Sequence, residues 1–279
     1  MIGVTGVTGE VGGRVARRLA DAGHQQRLIV RDASRAPALP GAQISQFGGY
    51  ADMAGMRTAF GGLSTLFLVS ARESEDRVEQ HKHAIDAAAA AGVERVVYLS
   101  FLGAAADATF TFARDHFRTE QHLRASGLDF TFSRQNLYLD LVPLLGGSEG
   151  VIRGPAGSGR LAPVLRDDVA EALVAMLTEP GHEGAVYELT GPESLSLSEL
   201  AAEISRYSAR PVTFENETLE QAHSARAKYG APEWEVAGWI STYTAIAAGE
   251  LDVVTSHVQR LAGHEPIGVR EFLGRQPRR

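Results

Sequence analysis

The stretch "VTGVTGEVGGRVARRL" (residues 4–19) constrains this chain more than any other. It spaces Gly6, Gly9 and Gly12 three residues apart, after a short apolar run (Ile2–Thr5). An amphipathic segment follows, in which Val11, Val15 and Leu19 repeat at helical spacing. A strand that turns at once into a helix needs a glycine at the turn. A second glycine lets a ligand approach the backbone, and a third lets the helix lie close on the strand. The helix start then offers unpaired N–H groups and the positive end of its dipole, which together suit the pyrophosphate of a dinucleotide. A glycine triplet is a weak sign by itself; its place between a strand and an amphipathic helix separates it from a merely structural turn.

The alternation continues through the first half. Apolar runs at Gln26–Arg31, Ala42–Phe47, Thr65–Ser70, Arg95–Phe101 and Asp129–Arg134 predict further strands, with helices near 10–22, 52–60, 74–91 and 110–126. The five alanines at 87–91 followed by Gly92 read as a close-packing helix with a glycine cap. This rhythm predicts an α/β fold, a Rossmann-type doubly wound parallel sheet with right-handed crossovers. After Arg134 the pattern loosens into Gly/Pro-rich loops such as "GPAGSGRLAP" (154–163). A helix at 166–178, a strand at Ala185–Thr190, a helix through Leu197, Leu200 and Ile204, and a strand at Val212–Glu215 follow, and 218–279 reads as mostly helical. The expected division is a dinucleotide-binding domain over 1–135, with returning elements from about 160–190. A smaller C-terminal α/β substrate lobe would comprise 136–159 and 191–279.

Composition removes several classes of function. With 279 residues and 44% hydrophobic content the chain can bury one large core, with a smaller appendage. A formal net charge of −7 speaks against a nucleic-acid-binding face. The arginines Arg14, Arg17, Arg18, Arg278 and Arg279 read as short solvated patches. The absence of cysteine excludes disulfides, thiolate nucleophiles and cysteine-ligated metals. No apolar run approaches the roughly 20 residues of a membrane helix. The first motif begins so early that no signal peptide is expected, so the chain reads as soluble and cytoplasmic. No metal site is expected either: His81 and His83 sit two apart on a helix, about 200° around its axis, and His81-Lys82-His83 reads as a solvated face.

The end of the second strand bears on the choice of dinucleotide. An acidic residue there bonds the ribose 2′-hydroxyl of NAD, whereas a cation suits the 2′-phosphate of NADP. Arg31-Asp32-Ala33-Ser34-Arg35 places Arg31 at the strand end and Arg35 close by, and a guanidinium fork matches a phosphate. NADPH is therefore expected, with NADH the lesser alternative should Asp32 bond the ribose.

These segments, with "IVRD", "VERVVYLS" (93–100), "HFRTEQHLRASGLDFTFSRQNLY" (116–138) and "RDDVAEAL" (166–173), resemble the NmrA-like branch of atypical short-chain dehydrogenase/reductases. Within it the chain is most similar to the NADPH-dependent quinone oxidoreductases of the type 2 class, over nearly its whole length. The resemblance implies that Gly6, Thr8, Gly9, Glu10 and Val11 line the pyrophosphate loop and that Arg31 meets the 2′-phosphate. Ser70 and Ala71 would pass beside the nicotinamide ribose, and Ser100 and Phe101 beside the nicotinamide end. Where the family often has an Asp near adenine, "FGGYAD" (47–52) offers Gly49 and Tyr50, so backbone groups or stacking on Tyr50 would hold the base.

Many reductases of this shape carry Tyr-x-x-x-Lys near the fourth helix; this chain has His116-x-x-x-Glu120. The tyrosine protonates a strongly basic alkoxide, but a quinone that accepts hydride becomes a stabilised phenolate, which needs electrostatic help and no strong acid. His116 and Glu120 lie one turn apart, so Glu120 is expected to orient His116 if the two are not simply a surface pair. Asn136 and Tyr138 follow the last parallel strand, where open sheets form their ligand crevice. They are candidates to touch nicotinamide or substrate, against readings as a turn residue and a core aromatic. Trp234, Trp239, Tyr243, Phe110 and Phe112 either wall an aromatic pocket or pack the lobe. The implied function is hydride transfer to a small quinone or conjugated aromatic ketone, without metal or flavin. The alternatives are a pathway-specific tailoring oxidoreductase or oxygenase on a polycyclic aromatic, and a non-catalytic NAD(P)-sensing regulator. The class also admits homodimers.

Overall fold

Seven parallel strands form the centre of the molecule. The structure, a computed structural model, describes residues 1–208 and 210–276; Arg278 and Arg279 lie outside the described residues. The first half runs β1 (Ile2–Val4), α1 (Glu10–Asp21), β2 (Gln26–Val30), β3 (Ala42–Gln46), α2 (Met53–Phe60), β4 (Thr65–Leu68), α3 (Arg77–Ala90), β5 (Arg95–Phe101), α4 (Thr111–Ala125) and β6 (Asp129–Gln135). Then follow β7 (Val151–Gly154), β8 (Arg160–Leu161), α5 (Arg166–Thr178), β9 (Val186–Leu189), β10 (Leu195–Ser196), α6 (Leu197–Tyr207), β11 (Thr213–Asn216), α7 (Leu219–Arg226), α8 (Glu233–Ala247), α9 (His257–Ala262) and α10 (Val269–Arg275). The sheet order is β3-β2-β1-β4-β5-β6-β9, so the order reverses between β1 and β4.

Strand alternation builds a core on each face of this sheet. In β5, Val97 and Leu99 join α1 and α5 through Val11, Val15, Leu19, Val169 and Leu173. Their neighbours Val96 and Tyr98 point the other way, onto Met56 and Phe60 of α2, Ile85 of α3 and Leu123 of α4. A strand buried on both faces reads as a continuous apolar run, and all seven residues of β5 are buried. The small side chains of Ala84, Ala87 and Ala88 carry α3 close to the sheet.

The later half adds a lobe with its own core. Phe101 and Leu102, at the end of β5, pack with Leu197, Leu200 and Ile204 of α6, Ile246 of α8 and Leu273 of α10. Two small sheets, β7 with β11 and β8 with β10, edge this core. Asn136 staples lobe to sheet: its Nδ2 donates to the Leu251 carbonyl (3.0 Å) and its Oδ1 accepts from the Leu137 N–H (2.7 Å). Among the described residues no helix is long and apolar enough to cross a membrane.

Candidate active site

The C-terminal ends of β1, β2 and β4 open onto a cleft of about 660 Å³, where the strand order reverses. The glycine loop is its floor. Gly6 adopts φ +62°, and a Cβ there would lie 2.9 Å from the Val69 Cβ. A Cβ on Gly12 would come within 2.4 Å of the Gly6 carbonyl oxygen and 2.8 Å of that of Thr5, so only glycine lets α1 lie this close to the turn. Gly9 is the residue that begins α1, and no side chain caps the helix. Glu10 instead pairs along the helix with Arg14. The first-turn N–H groups and the positive dipole end therefore face the loop uncapped. Thr5 ties the two strands that flank the turn: its hydroxyl donates to the Phe67 carbonyl (3.1 Å) and accepts from the Val69 N–H (2.8 Å).

At the end of β2 the charges divide unequally. The Asp32 carboxylate accepts from both the Ser34 N–H (3.0 Å) and the Ser34 hydroxyl (2.7 Å). It caps the short turn at 33–35, and these bonds hold its pKa below the usual range. Arg31 and Arg35 line the cleft, are exposed, and form no ion pair among the described residues. Phe47 and Tyr50 complete this end as an edge-to-face aromatic pair with ring centroids 6.0 Å apart.

Beneath the end of β4 lies a polar network closed off from solvent. The Ala71 N–H donates to His81 Nε2 (2.8 Å), and the Ala71 carbonyl accepts from Arg77 Nε (2.9 Å). His81 Nδ1 lies 2.8 Å from the Thr119 hydroxyl, which donates to the Asp115 carbonyl. His116 Nε2 lies 3.2 Å from Arg77 Nη2, and its Nδ1 lies 2.9 Å from the Tyr98 hydroxyl. Arg77 and the Ala71 N–H can only donate, so both histidines accept at Nε2 and carry their proton on Nδ1. Burial, reinforced by the Arg77 charge, pushes the His81 pKa down to about 3 and that of His116 well below the usual histidine range. Both rings are neutral at physiological pH.

Gly6, Thr8, Arg31, Arg35, Tyr50, Ser70 and Ala71 thus meet on one cleft, while Gly9, Glu10 and Val11 form the start of α1 behind it. The other expected residues are not among its lining. Ser100 is fully buried and donates to Glu120 Oε1 (2.6 Å), and Phe101 belongs to the lobe core. None of the three catalytic candidates lines the cleft: His116 has both nitrogens engaged, Asn136 both ends of its amide, and Tyr138 is covered by the Arg166 guanidinium 4.4 Å above its ring.

Two expectations need correction. Glu120 does not orient His116; it takes both forks of Arg134 (Nε at 2.8 Å), because β6 brings that cation alongside α4. His81 is no solvated residue either, being fully buried. Sequence reasoning missed Arg77 and His81, although they stand on the same helix face as Ala84, Ile85 and Ala88, and that periodicity was the available signal. The aromatic set divides. Phe112 and Trp234 line a hollow of about 330 Å³ that shares Ser74 with the cleft. Phe110 packs on Phe101 in the lobe core, Trp239 on Tyr229, and Tyr243 against Gly154 and Arg226.

A glycine cradle at an uncapped helix start, on the reversal point of a parallel sheet, defines a dinucleotide-binding protein of the Rossmann class. The chain belongs to the NAD(P)H-binding family, whose model matches residues 6–180. It is 33% identical to quinone oxidoreductase 2 of Escherichia coli, over 98% of this chain and 97% of that protein. It is 36% identical to (4-alkanoyl-5-oxo-2,5-dihydrofuran-3-yl)methyl phosphate reductase of Streptomyces griseus, over 98% and 96% of the two chains. The crystal structure of the E. coli NADPH-dependent quinone oxidoreductase complexed with NADPH superposes with a TM-score of 0.90 at 32% identity, covering 98% of each chain. The chain is thus an NAD(P)H-dependent oxidoreductase by family.

Proposed function

We propose that this protein is an NADPH-dependent reductase that passes hydride to a quinone or a related conjugated aromatic ketone. The observation that carries the cofactor choice is the division of charge after β2: Asp32 is spent on Ser34, while Arg31 and Arg35 have no carboxylate partner among the described residues. A ribose 2′-hydroxyl gains far less from two guanidinium groups than a doubly charged 2′-phosphate does. Gly6, Thr8, Gly9, Glu10 and Val11 would line the pyrophosphate, held by the N–H groups left free around the start of α1 (that of Gly9 donates to the Gly6 carbonyl, 2.9 Å), with Tyr50 at the adenine and Ser70 and Ala71 at the nicotinamide ribose. Bound NADPH supplies the hydride.

Two observations support the acceptor class, the first of them around Ser74. Phe112 and Trp234 give a flat molecule an aromatic wall next to the cleft. The likeness to the E. coli quinone reductase supports the same reading. An acceptor whose reduced form is a stabilised phenolate needs no strong acid beside it, which agrees with a cleft that His116 does not line.

The test is the loss of NADPH absorbance with a simple quinone, with NADH and enzyme-free controls. Rapid, NADPH-preferring loss is expected, and Arg31→Ala should weaken NADPH at least about tenfold while leaving NADH nearly unchanged. Equal losses for the two cofactors would remove the 2′-phosphate assignment. Binding of NADPH without consumption of any quinone would replace the reductase by a sensor.

A further inference from the structure

We propose that His81 and Arg77 are positioning residues of the cleft: they clamp both backbone polar groups of Ala71, one on each of its two flanking peptides, and so fix the wall that meets the nicotinamide half of the dinucleotide. This inference rests on the cofactor reading above. β4 ends at Leu68, and the Val69 N–H, held by Thr5, is the last ladder-like bond before the chain turns along the cleft. Ser70, Ala71, Arg72 and Ser74 line that cleft, so this segment carries the surface a ligand would touch without a neighbouring strand to hold it. Ala71 is buried, and its N–H and carbonyl would be orphaned without partners from elsewhere. Both partners come from α3, one turn apart, which lets two side chains reach one residue's backbone.

The clamp is itself held from behind. Thr119 of α4 fixes the His81 ring through Nδ1, and Thr119 is anchored on the Asp115 carbonyl. His116 of the same helix accepts from Arg77, and Tyr98 of β5 backs His116. His81, Tyr98 and Thr119 are fully buried, and Arg77 and His116 are 3% and 4% exposed. Two elements therefore supply no group to the cleft and still determine where its rim stands. A protonated His81 would lose the acceptor that Ala71 needs, and its burial prevents this across the physiological range.

His81→Leu removes the acceptor, while His81→Gln retains one acceptor and one donor. Each variant is titrated with NADPH by fluorescence, and with 2′,5′-ADP, which carries the 2′-phosphate end and nothing of the nicotinamide half. The clamp predicts that His81→Leu weakens NADPH about tenfold, leaves 2′,5′-ADP within about twofold, and is largely rescued in His81→Gln. Parallel loss of both ligands would mean general damage and would overturn the inference, as would unchanged NADPH binding. Should His81→Leu fail to fold, Thr119→Val loosens the ring from behind, and the same selective loss, smaller in size, is expected; no selectivity there counts against the clamp. If the wild type binds no 2′,5′-ADP, or Arg31→Ala leaves that binding intact, the cleft assignment fails first and takes the clamp with it.

Discussion

The cleft and the network beneath it lie within a few residues of each other, yet they are built in opposite ways. The cleft is made of backbone, glycine and exposed charge: Gly6, Thr8, Arg31 and Arg35 line it, and its two arginines pair with no carboxylate among the described residues. The network is made of buried side chains of α3, β5 and α4 that hold one another and the Ala71 backbone just beyond β4. The contrast teaches that affinity and stability are separable here, because the groups that serve one rarely serve the other. Gly12 is one exception, since it belongs to the cradle and to the packing of α1 at once, and the proposed His81–Arg77 clamp on Ala71 is another.

That separation can be broken at Gly12. Gly12→Val sets a branched side chain against two backbone oxygens, and a loss of about 4 kcal/mol in stability is expected together with loss of cofactor binding. Calorimetry and NADPH titration of the same preparation check both; a stable protein that merely binds weakly would mean that the turn relaxes. On the network side, Glu120→Ala strands the Arg134 guanidinium beside a fully buried cavity. It should destabilise by about 3 kcal/mol with cofactor affinity nearly unchanged, as read in a urea melt.

Acid sharpens the comparison further. His81 and His116 are neutral when folded and have pKa values below the unfolded reference of 6.5. The unfolded chain therefore binds more protons below that pH. Stability should be unaffected by these groups above about pH 7 and should fall as pH drops through 6.5, by about 1.4 kcal/mol per pH unit for each histidine. Melting curves between pH 7 and 5 measure the slope, and His81→Gln should remove one histidine's share of it; an unchanged slope would show that His81 already titrates in the folded protein. The smallest effect is expected at the rim, where Arg31→Ala should alter stability by less than about 0.5 kcal/mol.

The same contrast explains what could be read from the chain. The glycine loop and the Arg31–Arg35 stretch were legible because each is contiguous and each residue type answers a local demand of the backbone. The seven-stranded sheet was legible for a similar reason, since buried parallel strands and their helices repeat along the sequence; β5 was expected over Arg95–Phe101 and is found there. The network resisted because most of its partners lie 10 to 39 positions apart in the chain. His81-Lys82-His83 looks polar from any short window, and only the fold reveals that Thr119 and the Ala71 peptide wait on its inner side. Glu120 was placed on the correct face of α4, but its partner Arg134 arrives on a different strand.

The staple at Asn136 has a dynamic consequence. Lifting the lobe away from the sheet would strand a buried amide and the Leu251 carbonyl, and would also release the Thr109 N–H from Glu250, 2.8 Å away. Sheet and lobe are therefore expected to open as one cooperative unit. The amide hydrogens of Thr109 and Ala162, which donate to the Glu250 carboxylate and the Leu251 carbonyl across this junction, should then exchange no faster than those of the central strands.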